Sequence, residues 1–435
     1  MKPLLFALLA AAAALPAAAN AGLTAPEKKM IQAVEREQER SVVLLERLVN
    51  QNSGSLNLAG VEAVGKMMRA ELEPLGFQVR WADMRETGRA GHIVAVHKGN
   101  GRGKRMLLIG HLDTVFEPDS SFQRFVRKGD RAEGPGVGDD KGGMVVMVAA
   151  LRAMQAAGTL KDADIEIVLT GDEEDNGLPI EIARRDLVAA GKRADVALDF
   201  EGLAQENGRD MGSIARRSSD TWEVRATAKG GHSSGIFGPS AGNGAIYELS
   251  RIITAFRTEL PEQNLTFSVG LVAGGTTAAL DEAKIRATVT GKTNIIPEIA
   301  IGRGDLRTLS PDQQRRVIAK MREIVARHLP GTSAEIVFDE GGYPSMAPTA
   351  GNRALLERLN GVNRDLGLAE MPVLDPLKRG AGDIGFVAED VDGLVGLGVA
   401  GEGSHAPGET ADLGSIDRQA KRAAILMTRL SREKR

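Results

Sequence analysis

Two histidines and a set of carboxylates define the chemistry open to this sequence. His111 precedes Asp113 by two residues in Gly110-His111-Leu112-Asp113-Thr114, and Asp139 follows the glycine-rich stretch 133–138. Glu173 and Glu174 end Gly171-Asp172-Glu173-Glu174, Asp199 and Glu201 flank Phe200, and His405 lies far downstream in Gly403-Ser404-His405-Ala406-Pro407. Two imidazoles with three carboxylates suit two zinc ions that share one bridging carboxylate and retain open positions. Glu201 and Asp199 compete for the last of these places. The chain contains no cysteine, so a metal site here must be built from His, Asp and Glu. Such donors also accept cobalt or manganese.

What must position these residues is a set of buried strands. Residues 105–109, Arg-Met-Leu-Leu-Ile, form a continuous apolar run of the parallel-sheet type and lead directly into Gly110-His111. Residues 164–169 end just before Gly171-Asp172-Glu173-Glu174, and residues 196–200 end at Glu201. Residues 77–81 and 92–97 alternate as further strands. Helical spacing over 28–49, over 60–75 and from Lys141 through Met154 supplies the covering layers. Strands alternating with helices imply an α/β sheet, and polar clusters after strand C-termini are where such sheets bind ligands.

The pattern changes around Ile214. A strand over 221–228, a helix over 243–257, strands over 265–271, 283–290 and 299–306, and a helix over 311–328 read as a smaller α+β unit, ferredoxin-like, with half-exposed alternation. Beyond Gly331 the α/β style resumes with a strand over 334–338, a helix over 352–366 and a closing helix over 416–430. The expected organisation is therefore residues 22–213 and 332–435 as one α/β domain interrupted by residues 214–331.

Met1-Lys2-Pro3, an apolar run over 4–19 and the small-x-small pattern Ala19-Asn20-Ala21 read as a secretory signal peptide, residues 1–21, cleaved after Ala21. The expectation is a periplasmic or secreted protein that leaves the membrane on cleavage. The 55 basic and 58 acidic residues give a net charge of −3, so no basic field holds a polyanion, and aromatics at 3% leave few stacking platforms. Nucleic acid is not an expected partner. The glycines at 136 and 138 lack the spacing to Lys-Ser/Thr that a phosphate loop needs.

Taken in order, the clusters resemble the zinc-dependent exopeptidases and amidohydrolases that include glutamate carboxypeptidase, acetylornithine deacetylase, succinyl-diaminopimelate desuccinylase and aminoacylase. Gly110-His111-Leu112-Asp113-Thr114-Val115 is similar to the first motif of that family and Gly171-Asp172-Glu173-Glu174 to the third. Gly134-Pro135-Gly136-Val137-Gly138-Asp139-Asp140-Lys141-Gly142-Gly143 is similar to the second, in the form closest to glutamate carboxypeptidase. The resemblance runs over nearly the whole chain after residue 21. It implies a zinc-exopeptidase-like catalytic domain with a mixed, mainly parallel sheet, interrupted by an inserted dimerisation domain. It also implies that His111 and Glu201 bind one zinc, Glu174 and His405 the other, and that Asp139 bridges them. The family usually follows the Glu201 position with proline, and here Gly202 follows.

By the same resemblance Glu173 would be the general base toward the attacking water, whose acidity the metals raise, and would hand the proton to the leaving amine. Asp113 would hydrogen-bond the second nitrogen of His111 and fix its tautomer. In the insert, Lys229-Gly230-Gly231-His232-Ser233 resembles the segment whose histidine reaches the partner subunit's active site and stabilises the oxyanion. Asn294, near Ile295-Ile296-Pro297, and Arg307, in Asp305-Leu306-Arg307, match the residues placed near the oxyanion and at the substrate's free carboxylate. Gly380 and Gly382 in Arg379-Gly380-Ala381-Gly382-Asp383 resemble the loop around the substrate's C-terminal residue. His92, His97 and His328 read as structural.

The expected activity is hydrolysis, by a homodimeric exopeptidase, of the amide next to a free C-terminal carboxylate in a small peptide or N-acyl amino acid. An N-acyl-amino-acid deacylase or dipeptidase of the same family shares every one of these residues. A binding protein on the same fold would lack Glu173 or a ligand, and none is missing.

Overall fold

The apolar run at residues 105–109 becomes the middle of a six-stranded sheet. The computed structural model describes residues 22–435, so the expected signal peptide lies outside the described residues. Strands β1 (Gln78–Asp83), β2 (Gly91–His97), β3 (Arg105–His111), β4 (Asp164–Thr170) and β5 (Val196–Asp199) stand in the order β1-β2-β4-β3-β5, and Gly393–Val395 completes the edge beside β5. β1, β2 and β4 pair antiparallel, whereas β4 with β3, β3 with β5 and β5 with Gly393–Val395 pair parallel. The sheet is mixed and mainly parallel.

Both faces of this sheet are covered, as continuous apolar strands require. On one face lie helices α1 (Ala25–Arg36), α2 (Gln38–Val49), α3 (Lys141–Ala157) and α6 (Leu413–Leu430), packed through Leu45, Met147, Leu151, Ile425 and their neighbours. On the other, Leu187 and Ala190 of the short helix Arg185–Gly191 meet Ile384 and Val387. The sequence reading expects one helix over 28–49; the structure breaks it at Glu37, whose N–H is shared between the carbonyls of Ala33 and Val34. Thr24 and Glu27 form a reciprocal cap at the start of α1, and Glu27 also accepts from Arg429 Nε at 2.8 Å, tying the first helix to the last.

A second, antiparallel sheet follows Ile214. Its strands are β6 (Asp220–Ala228), β7 (Thr266–Phe267), β8 (Leu271–Gly275), β9 (Ile299–Arg307) and β10 (Thr332–Phe338), with α4 (Ala245–Glu259) and α5 (Pro311–Ala326) on one face. The order is β7-β9-β6-β10, with β8 also pairing β9, the βαββαβ arrangement of a ferredoxin-like unit. Trp222, Phe256 and Met321 fill its core.

Two expectations change here. The strand over 334–338 does not rejoin the first sheet: β10 pairs along its length with β6, from Trp222 with Phe338 to Ala228 with Thr332. Its alternating half-buried pattern belongs to the edge of the antiparallel sheet, so the second unit runs past residue 331. The strand over 283–290 shortens to Ala287–Thr290, because Asp281 turns the chain by accepting the N–H groups of Ile285 and Arg286.

Candidate metal centre

The strand order decides which side chains meet. β4, β3 and β5 are parallel neighbours, so the residues at or just beyond their C-terminal ends, Glu173-Glu174, His111 and Glu201, emerge at one edge of the sheet. Asp139 arrives from the loop before α3 and His405 from the loop before α6. His111 Nε2 lies 3.0 Å from Asp139 Oδ1, and His405 Nε2 lies 3.1 Å from Asp139 Oδ2 and 3.2 Å from Glu174 Oε2.

Potential ligand atoms of His111, Asp139 and Glu201 all lie within 4.8 Å of one another, and so do those of Asp139, Glu174 and His405. Asp139 is common to both groups. His111, Glu173 and Glu174 satisfy the same limit. Glu201 rather than Asp199 faces the cluster: Asp199 lies beneath and accepts the Glu201 N–H at 3.2 Å.

The cluster gathers more buried carboxylates than imidazoles. Burial raises the Glu173 carboxyl well above its usual range, and Glu201, Asp383 and Glu174 add to the effect. Asp199 is pushed up to about 7 by burial and by Glu201. Contacts with Asp139 and Glu174 raise His405 to about 11, and burial of His111 is outweighed by Asp113 and Asp139, which raise it well above the usual imidazole range. Nitrogen and oxygen donors with this surplus of negative charge fit divalent cations.

Several residues hold the cluster in place. Asp113 is fully buried; its Oδ2 accepts from Ser55 Oγ at 2.6 Å and from the Glu174 N–H at 3.0 Å, while Oδ1 accepts the Glu173 N–H at 3.0 Å. His111 Nδ1 lies 3.1 Å from the Asp113 carbonyl and 3.4 Å from Oδ1. Glu409 accepts the backbone N–H groups of Gly136, Gly138 and Asp139 at 3.0, 2.7 and 3.0 Å. Gly136, at φ +71°, adopts the left-handed turn this cradle needs. Arg184 binds Asp172 and Asp383 and donates to the Tyr343 hydroxyl, which in turn donates to the Glu173 carbonyl at 2.6 Å. His92 serves the same strand end, accepting the Gly171 N–H at 3.0 Å. Sequence reasoning missed Glu409, Tyr343 and Arg184, whose partners are far away along the chain.

Beside the cluster lies a cavity of about 410 Å³ lined by Glu173, Glu201, Arg216, Arg307, Tyr343, Arg379, Gly380 and His405, among others. Arg307, at the end of β9, and Gly380 therefore line the cavity beside the cluster within one chain. Gly382 acts differently: a Cβ there would lie 2.3 Å from Arg216 Nη1, so its bareness makes room for that guanidinium, which contacts Glu201 Oε1 at 2.9 Å. His232 and Asn294 line neither this cavity nor the one adjoining it. Both are exposed and sit together at a two-stranded ribbon, Gly231–His232 with Ile295–Ile296, whose Ile296 is buried and where the Asn294 carbonyl accepts the Ser233 N–H at 3.0 Å.

Comparison with known proteins is consistent along the chain. Residues 107–429 match the model of peptidase family M20/M25/M40. Carboxypeptidase G2 of Pseudomonas sp. (strain RS-16) is 27% identical over 427 residues, 96% of each chain. A succinyl-diaminopimelate desuccinylase of Gluconobacter oxydans (strain 621H) is 25% identical over 320 residues, 71% of this chain and 77% of that one. Among solved structures, a tripeptidase from Staphylococcus aureus subsp. aureus mu50 has the same fold, with a TM-score of 0.72 at 18% identity over 91% of this chain and 99% of that one.

Proposed function

This chain belongs to peptidase family M20/M25/M40 and is a metal-dependent hydrolase, and from that premise we propose that it is an exported, homodimeric dizinc exopeptidase. It hydrolyses the amide next to a free C-terminal carboxylate. The observation that carries this reading is the single cavity in which Glu173, the cluster around Asp139 and the guanidinium of Arg307 face one another.

In this reading His111, Asp139 and Glu201 hold one zinc, and Asp139, Glu174 and His405 hold the other. Bound there, the metals would supply Lewis acidity toward the scissile carbonyl and the attacking water. Glu173 takes the proton from that water and delivers it to the leaving amine. Arg307 presents donors to the substrate carboxylate, fixing which amide reaches Glu173.

The homodimer is supported by two features. His232 and Asn294 are exposed and lie off the chain's own cavity, as donors to a partner's site would. Phe237, Ile246, Tyr247 and Val272 are exposed around the same unit, an apolar surface of the kind that subunits bury. Export rests on the pattern of residues 1–21.

The test combines metal analysis of the purified protein with turnover of dipeptides, N-acyl amino acids and folate-like glutamyl amides, each as free acid and as C-terminal amide. About two zinc per chain and release from free acids only is the expected result. Equal release from the amidated forms overturns the exopeptidase assignment, and absence of tightly bound metal after zinc reconstitution overturns the dizinc one.

A further inference from the structure

The chain enters the antiparallel unit through residues 214–219 and leaves it through residues 339–346, and these two crossings pair with each other. Arg216 and Met346 exchange N–H···O bonds at 3.0 and 2.9 Å, and Ser219 and Tyr343 do so at 2.9 Å each way. The backbone of Tyr343 therefore belongs to the ribbon that joins the two units. Its ring belongs to the metal-bearing unit, where it meets the Phe386 ring at 65° with 5.1 Å between centroids. The Arg184 guanidinium carbon lies 5.6 Å from the same ring.

The direction of the hydroxyl follows from its neighbours. Arg184 Nη2 can only donate, and it lies 2.7 Å from the Tyr343 oxygen. That leaves the hydroxyl proton for the Glu173 carbonyl at 2.6 Å, which accepts no other hydrogen bond among the described residues. Arg184 is itself fixed: Nε donates to Asp383 Oδ1 at 2.8 Å, Nη1 to Asp172 Oδ1 at 2.6 Å and Nη2 also to the Asp172 carbonyl at 3.0 Å.

Glu173 is consequently held at both of its peptide groups. Asp113 accepts its N–H at 3.0 Å, and Tyr343 donates to its carbonyl. Because each peptide group is planar, fixing the plane on either side of a residue fixes φ and ψ, and with them the direction in which the side chain leaves the backbone. Glu173 lies beyond the end of β4, outside any helix or strand that would set those angles instead.

We propose that Tyr343 is a positioning residue for Glu173: from the ribbon between the two units, its hydroxyl sets the peptide plane that aims the Glu173 carboxylate. The inference rests on the reading of Glu173 as the base and adds the residue that ties this base to the crossing of the second unit.

The test uses zinc-loaded wild type, Tyr343→Phe, Glu173→Gln and the double variant, checked for equal metal content and far-UV dichroism. Phenylalanine keeps the ring against Phe386 and removes only the hydroxyl. In the wild-type background Tyr343→Phe should lower kcat about tenfold with KM within about twofold, because the base is misaimed while the substrate contacts remain. In the Glu173→Gln background the same substitution should change kcat by less than about twofold, since no base is left to aim. An equal factor in both backgrounds overturns the proposal and makes Tyr343 a general support of the fold. A change confined to KM also overturns it, and makes Tyr343 a substrate contact of the cavity it lines.

Backbone hydrogen exchange, followed by mass spectrometry, needs no substrate. Peptides covering residues 171–177 should exchange about fivefold or more faster in Tyr343→Phe, while those covering 105–111 keep the wild-type rate. If that holds while wild type cleaves no amide, the hydrolase reading fails and the hold of Tyr343 on this loop stands. Wild-type exchange at 171–177 in the variant overturns the proposal whatever the kinetics.

Discussion

Asp113 Oδ1 accepts the backbone N–H of Glu173 at 3.0 Å across 60 residues of sequence. The same carboxylate also accepts the Glu174 N–H and stands beside His111 Nδ1. One buried group thus fixes a metal-ligand candidate, the candidate base and an imidazole together. Asp113→Asn keeps the shape but replaces an acceptor by an NH₂ that confronts an N–H. Metal affinity and kcat should both fall, by about 10–100-fold each. Titration with zinc alongside steady-state kinetics would reveal this, and wild-type values for both would reduce Asp113 to a packing residue.

Glu173 is set apart from the other acidic residues by its predicted task. Glu173→Gln preserves size and removes the base, so kcat should drop about 10²–10⁴-fold while bound zinc stays near the wild-type level. Loss of metal along with activity would instead make Glu173 a ligand, a possibility that its closeness to His111 and Glu174 makes worth measuring.

Glu409 connects the two loops that bring Asp139 and His405 together. It accepts three backbone N–H groups, although burial raises its pKa to about 7. Glu409→Gln offers one acceptor oxygen in place of two and turns an amide donor toward the loop. Zinc affinity should weaken and the thermal midpoint fall, by about 1–3 kcal/mol in stability. An unchanged midpoint in the metal-free protein would show that the loop holds its shape without Glu409.

The central strands and the residues at their ends were legible because buried parallel strands announce themselves as apolar runs, and polar pairs such as Glu173-Glu174 directly after them have few structural uses. Arg184, Tyr343 and Glu409 were not legible as functional residues. Each acts through a partner that the fold supplies from far along the chain, as Glu409 does with Gly136 across 273 residues. The misplacement of strand β10 has a related cause. Alternation identifies a strand, but only pairing with β6 decides which sheet receives it.

Acid stability should depend on Glu27. Burial opposes its ionisation, but the hydrogen bonds from Arg429 and Thr24 prevail and lower its pKa from the ordinary 4.5. A folded-state pKa below the unfolded one means that the stability it contributes is complete above pH 4.5 and is lost as the pH falls through the lowered value. Glu27→Gln should therefore lower the thermal midpoint at pH 7 and narrow the gap to wild type below pH 4.5. Parallel melting curves for the two proteins across pH 3–8 would refute the assignment.

If His232 serves the partner's site, two inactive variants should repair each other. His232→Ala keeps a complete metal cluster but lacks the donor, and His111→Ala keeps the donor but lacks the cluster. In a mixed dimer the intact cluster of the first faces the intact His232 of the second, whereas the other site carries both defects. Random exchange makes half of the dimers mixed, each with one competent site, so activity should recover to about a quarter of the wild-type level. The exposure of His232 and Asn294 leaves this arrangement sterically open. Subunit exchange must be verified separately, with differently tagged chains. Proven exchange without recovered turnover would confine His232 to its own chain, where no cavity beside the metal cluster reaches it.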